Sequence, residues 1–180
     1  MQISLHMKGL VSLVNYYIVN IVTNFNKNKL LGAYMCKDWS RTYSAVYYNV
    51  DKQIIWDLWS NPRSWATWNG GVERCEVTST GPIAVGTKFT LKPKGGPAVK
   101  LEFLEFEKYK NFTDVTFFPG AKMFGEHRLE EVADGVKLTC TMKVTGLLGF
   151  FWRRIVAQKI VTELPQDFDR LVKLARGKRV

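Results

Sequence analysis

Between Gly146 and Ala175 the apolar residues recur at Leu148, Phe151, Trp152, Ile155, Val161, Leu164, Phe168, Leu171 and Ala175. These steps of three, four and seven predict one long helix with a single apolar stripe. Charged and polar side chains from Arg153 to Lys173 occupy most of its other faces, so the stripe needs a surface to cover it. Just upstream the period changes to two. Val136, Leu138, Cys140, Met142 and Val144 alternate with Lys137, Thr139, Thr141, Lys143 and Thr145, which predicts a strand with one buried face. On the run before it, Met123, His127 and Leu129 share a side opposite Phe124, Glu126, Arg128 and Glu130. That alternation puts a histidine on an apolar face.

Strand character is read at Tyr43–Asn49, Val72–Thr80, Val85–Lys92, Ala98–Glu107, Asn111–Phe118, Lys122–Val132 and Val136–Thr145. Gly81-Pro82, Gly95-Gly96, Lys110-Asn111, Pro119-Gly120 and Asp134-Gly135 mark the turns between the later runs. Asp-Gly is the sharpest of these, because both hairpin residues must tolerate positive φ. After the first strand, Asp51 is placed to cap a short helix carrying Ile54, Ile55, Leu58 and Trp59. Asn61-Pro62 ends it and starts a second one through Trp65 and Trp68. The order is that of an α+β fold. A curved antiparallel meander of six to seven strands carries a long C-terminal helix, with two short helices after the first strand.

Composition changes this picture little. A chain of 180 residues with 46% hydrophobic residues can bury a core and is not disordered. The net charge of +10 is spread out: five Lys or Arg against one acid up to Thr42, and twenty-one against fifteen thereafter. No basic run is interleaved with aromatics, so nucleic acid is not expected as a partner. Cys36, Cys75 and Cys140 form no CxxC pair and no zinc-spaced set with histidine, so neither a metal nor a cofactor is expected. Three scattered thiols fit a reducing compartment, and a cytoplasmic protein is the expectation.

Residues 1–42 read differently and are treated as an N-terminal extension of uncertain order, ahead of a domain over 43–180. Leu10 to Phe25 is apolar with asparagine interruptions, shorter than the roughly 20 residues of a spanning helix. It is compatible with a loosely docked extension, a helix that associates weakly with a membrane, or a signal peptide that would export the protein. A start at Met35 is a further alternative.

The run Ile55-Trp56-Asp57-Leu58-Trp59-Ser60-Asn61-Pro62, then Trp65, Trp68 and Val72-Glu73, resembles the opening of polyketide cyclase/dehydrase-like members of the START-related SRPBCC superfamily. Gly86-Thr87, Lys92-Pro93-Lys94-Gly95-Gly96-Pro97, Glu126-His127-Arg128-Leu129, Asp134-Gly135 and Leu164-Pro165 keep that group's order and spacing. The resemblance covers about Tyr43 to Arg176. It implies a helix-grip fold, a curved sheet wrapped around the C-terminal helix, enclosing an apolar cavity for a lipid, a polyketide or an aromatic molecule.

Candidate lining residues are Phe89, Leu91, Leu101, Phe103, Met123, Leu138, Cys140 and Met142 from the sheet and Trp152 and Ile155 from the helix. Each is also a plain core position. Trp65 and Trp68 are read as a seal between the short helices and the sheet, or as walls for a ligand. His127 is either a satisfied structural histidine or, in a cavity, a group able to polarise a carbonyl or move a proton. Asp57 and Glu73 are its candidate partners. Pro165 is expected to kink the helix. The half around Trp152 and Ile155 would then close one end of the pocket, with Phe168 and Leu171 anchored in core. Three functions remain in view: binding of a hydrophobic small molecule, a cyclase or dehydratase acting through His127, and a membrane-associated or protein-interaction module. No signature of a hydrolase, a phosphate-binding loop or a thiol nucleophile is present.

Overall fold

The computed structural model describes residues 39–178, so the expectations for residues 1–38 lie outside the described residues. The elements are β1 (Trp39–Tyr48), α1 (Lys52–Trp59), a 3-10 turn (Pro62–Ser64), α2 (Trp65–Trp68) and β2 (Val72–Val77). They continue through β3 (Lys88–Pro93), β4 (Val99–Glu107), β5 (Asn111–Phe118), β6 (Ala121–Val132) and β7 (Gly135–Thr145). The C-terminal helix of 29 residues follows as α3 (Gly149–Trp152), a π turn (Arg153–Ala157) and α4 (Gln158–Gly177). All seven strands form one open, curved antiparallel sheet in the order β1-β7-β6-β5-β4-β3-β2.

Local signals account for most boundaries. Asp51 accepts hydrogen bonds from the backbone N–H groups of Gln53 (2.7 Å) and Ile54 (3.0 Å), capping α1. Asn61 accepts from Arg63 N–H at 3.1 Å, and Pro62 stands where its missing N–H costs nothing. At the β6–β7 hairpin Asp134 has φ 59. A Cβ on Gly135 would lie 2.1 Å from the Tyr47 carbonyl oxygen, so only glycine lets β1 approach there. β1 begins at Trp39, ahead of the Tyr43 start read from residue type, because pairing with β7 runs out to Trp39↔Val144. β2 and β3 are shorter than their patterns suggest. Gly81 and Gly86 adopt φ of 93 and 82, turning residues 78–87 into a connection.

The concave face takes one residue in two from every strand. Its largest fully buried side chains include Phe89, Phe103, Phe112 and Leu138, with Trp59 and Ile55 from α1 and Phe168 and Leu171 from α4. The rings meet mainly edge-on: Trp59 lies 5.5 Å from Phe112 and 5.4 Å from Phe168, and Trp65 lies 5.3 Å from Phe89. Each such burial contributes about 1.5–3 kcal/mol. α4 is also tied by polar contacts. The Tyr47 hydroxyl donates to Asp169 Oδ1 at 2.9 Å, and Arg176 donates to the Tyr48 carbonyl at 2.8 Å. Buried Asp167 pairs with Arg170 and accepts from Gly70 N–H at 2.8 Å.

The C-terminal helix departs from expectation in one place. Helix α4 continues through Pro165, and the irregularity in helix class is the π turn at Arg153–Ala157. A π turn takes more residues per revolution than an α turn, so the inward face arrives later in sequence. Ala157 is therefore buried and Val156 partly buried, while Ile155 is 48% exposed. Ile155 does not line the interior.

Candidate functional site

The sheet register places one polar pair on the apolar concave face. Across β5 and β6, Phe112 faces His127, Asp114 faces Gly125, and Thr116 faces Met123. Across β6 and β7, Gly125 faces Met142 and His127 faces Cys140. Asp114 and His127 are thus diagonal neighbours, and Asp114 Oδ1 lies 3.1 Å from His127 Nε2. Gly125 makes this diagonal contact available. A Cβ there would lie 2.9 Å from both Asp114 Oδ1 and His127 Nε2. The imidazole also stacks on Phe112, with ring centroids 4.3 Å apart, and takes the edge of Trp59 at 5.2 Å.

The pair is largely buried. His127 keeps 13% of its side chain accessible and Asp114 keeps 8%, whereas neighbouring Phe112, Leu138 and Cys140 are fully sealed. His127 Nδ1 is buried and has no hydrogen-bond partner among the described residues. Burial by itself pushes the imidazolium pKa down. The adjacent Cys140 sulfur and the hydrogen-bonded Asp114 carboxylate act the other way and prevail, raising it to about 10. That balance favours the protonated imidazole. On the same face Cys75 is pushed up to about 12, chiefly by burial and then by the Asp114 charge, so it stays a neutral thiol.

The site residues read from sequence divide into three groups. Phe89, Leu101, Phe103, Leu138 and Cys140 are core, as are Met123 and Met142. Leu91 and Trp152 are half-buried, and Trp152 stacks on Phe118 at 4.3 Å while its indole N–H donates to the Pro119 carbonyl at 2.9 Å. Ile155 points to solvent for the reason given above. Trp65 and Trp68 behave as a seal. Their indole N–H groups donate to the Trp59 (2.8 Å) and Leu58 (3.3 Å) carbonyls of α1.

The partner of His127 is Asp114, not Asp57 or Glu73. Asp57 is exposed on α1, and Glu73 pairs with Lys92 at 3.1 Å on β2–β3. A carboxylate sharing the alternation of Phe112, Thr116 and Phe118 was the available signal for Asp114. Among the described residues no group of three or more His, Cys, Asp or Glu is placed to hold a metal ion, and no helix is long and apolar enough to cross a membrane. An open depression of about 600 Å³ lies elsewhere, lined by Asn49–Gln53, Tyr109 and the β6–β7 hairpin. It is polar, formed at a strand rim, and includes neither member of the Asp114–His127 pair.

A family model described as polyketide cyclase / dehydrase and lipid transport matches residues 41–176. Among solved structures, Ara h 8.0201 has a TM-score of 0.61 at 11% identity, over 79% of this chain and 100% of its own. Norcoclaurine synthase from Thalictrum flavum, in complex with dopamine and hydroxybenzaldehyde, has 0.61 at 14% identity, over 85% and 95%. The Zhui aromatase/cyclase from Streptomyces sp. R1128 has 0.62 at 12% identity, over 78% and 94%. At these identities the likeness is one of fold. No curated protein matches the chain in sequence.

Proposed function

We propose that this chain, which belongs to the polyketide cyclase / dehydrase and lipid transport family, binds a hydrophobic small molecule between its sheet and the first half of its C-terminal helix. The Asp114–His127 pair orients that molecule. One observation carries the reading: a His–Asp pair, one ring nitrogen of which has no partner among the described residues, stands on a face otherwise lined by apolar side chains. A buried ion pair is weak support for stability, because apolar residues of the same shape often serve as well. Its presence on this face therefore supports a role toward a ligand. An imidazolium and a carboxylate side by side recognise a hydroxyl or carbonyl group on an otherwise apolar molecule. Leu101, Met123, Met142 and Trp152 supply apolar wall. The aromatic compounds held by norcoclaurine synthase support the same ligand class.

The test is native mass spectrometry of the purified full chain, with titration of an apolar fluorescent probe. A co-purifying or displaceable apolar molecule is expected. Asp114→Asn and His127→Gln should each weaken binding about tenfold, the loss of one charge-assisted hydrogen bond. Unchanged affinity in both variants removes the pair from the site. No uptake of probe or ligand removes the binding function itself.

The upward shift of His127 favours a second reading, a cyclase or dehydratase acting on a polyketide-like substrate. A protonated histidine serves as an acid, not a base. It can protonate a departing hydroxyl or hold the oxygen of an enolate. Normal turnover of a confirmed substrate by His127→Ala would exclude it.

A further inference from the structure

The strands end at two rims of different electrostatic character. At one rim the β5–β6 turn and the loop from β7 into α3 lie together, with the β3–β4 turn at the same end of the sheet. The Leu148 N–H donates to the Gly120 carbonyl at 3.0 Å, and the Trp152 indole reaches Pro119. The segments that build this rim, 92–101, 117–125 and 143–162, contain eight Lys or Arg and no Asp or Glu. Lys92, Lys143 and Lys159 pair with acids from outside those segments. Among the described residues, Lys94, Lys100, Lys122, Arg153 and Arg154 pair with none. At the opposite rim, by contrast, Lys52, Lys110 and Lys137 are each matched by a glutamate.

Large apolar side chains stand exposed beside the unpaired cations. Leu147 is 37% exposed, Phe150 38% and Ile155 48%, all on the loop and first turns of the C-terminal helix. Such residues are usually buried, and their grouping in one short stretch marks an interaction surface. We propose that this rim docks the protein on an anionic lipid bilayer. Leu147, Phe150 and Ile155 enter the boundary between headgroups and acyl chains, and Lys94, Lys122, Arg153 and Arg154 face the lipid phosphates. Both halves of the surface are needed for this choice of partner. A nucleic acid would match the cations but offers no apolar phase to Leu147 and Ile155. A second copy of the chain would bring two uncompensated basic rims together. The inference is independent of which molecule the interior holds.

Flotation of the full chain with phosphatidylcholine vesicles, with and without phosphatidylserine, tests it. Binding is expected only with phosphatidylserine, and it should fall as salt is raised. The double variants Phe150→Ser/Ile155→Ser and Lys122→Glu/Arg154→Glu should each weaken it at least about tenfold, with unfolding temperatures at the wild-type value. Wild-type protein that stays in solution overturns the proposal. Binding unchanged in both variants also overturns it, since attachment then runs through another part of the chain. Capture of an oligonucleotide, unaffected by the apolar double variant and without vesicle binding, assigns the rim to nucleic acid and overturns it as well.

Discussion

The concave face of the sheet has two halves that solve opposite problems. Under α1 and α4 it is closed: Trp59, Phe103, Phe112 and Phe168 meet ring against ring, none more than 1% exposed. Toward the β3–β4 and β5–β6 turns it is looser. Leu91, Val99 and Phe118, with Trp152 of α3 and Val156 of the π turn, are only partly buried, and Asp114 lies between Phe112 and Phe118 along β5. Closed packing supplies stability, and the looser half tolerates a charge pair that closed packing would exclude. The ligand binding proposed above calls for a rigid wall with less closely packed side chains beside it.

Substitutions should separate the halves by size of effect. Trp59→Ala, in the closed half, should cost about 3–5 kcal/mol, measured by denaturant unfolding. A smaller loss would mean that the aromatic layer can collapse around the gap. Asp167→Ala strips Arg170 and the Gly70 N–H of their partner. It should cost about 2 kcal/mol, less than for a sealed pair because Arg170 is 42% exposed. At the border, Gly125→Ala forces the Asp114–His127 contact apart and should cost about 1–3 kcal/mol.

The same border should show in pH dependence. The imidazole has a raised pKa in the folded chain, about 10 against 6.5. Its contribution to stability is therefore complete below about pH 6.5 and is lost as pH rises through about 10. The stability gap between wild type and Asp114→Asn should be widest near pH 6 to 7 and shrink toward pH 10. A pH-independent gap would show that the pair does not titrate this way. Smallest of all, Ile155→Ser should change stability by no more than about 0.5 kcal/mol, since the residue faces solvent.

What the sequence disclosed follows from the range of each signal. The period of two in β7 and the Asp-Gly turn are local, and both are where they were read. The stripe from Leu164 to Ala175 is likewise buried on α4. Asp114 could not be matched to His127 in the same way, because their contact depends on the β5–β6 register and on the missing side chain of Gly125. Neither is written in the run around either residue. Ile155 failed for a different reason: counting at 3.6 residues per turn assumes an unbroken α helix, and the π turn adds to the count. Pro165 lies inside α4, and the change of helix class lies ahead of it.

The position of β1 bears on how the chain is assembled. The first strand of the sheet hydrogen-bonds to the last, and Thr42 Oγ1 meets Thr141 Oγ1 at 2.8 Å across 99 residues of sequence. Tyr47 then waits for Asp169, 122 residues downstream. The meander from β2 to β7 can form in order as it leaves the ribosome, each strand beside its predecessor. β1 cannot. Emerging first, it must stay unpaired until almost the whole chain has been made, an edge strand without its neighbour. Closure of so long a loop is an entropic cost met before any of its contacts form, which places the β1–β7 seam among the last native features to appear.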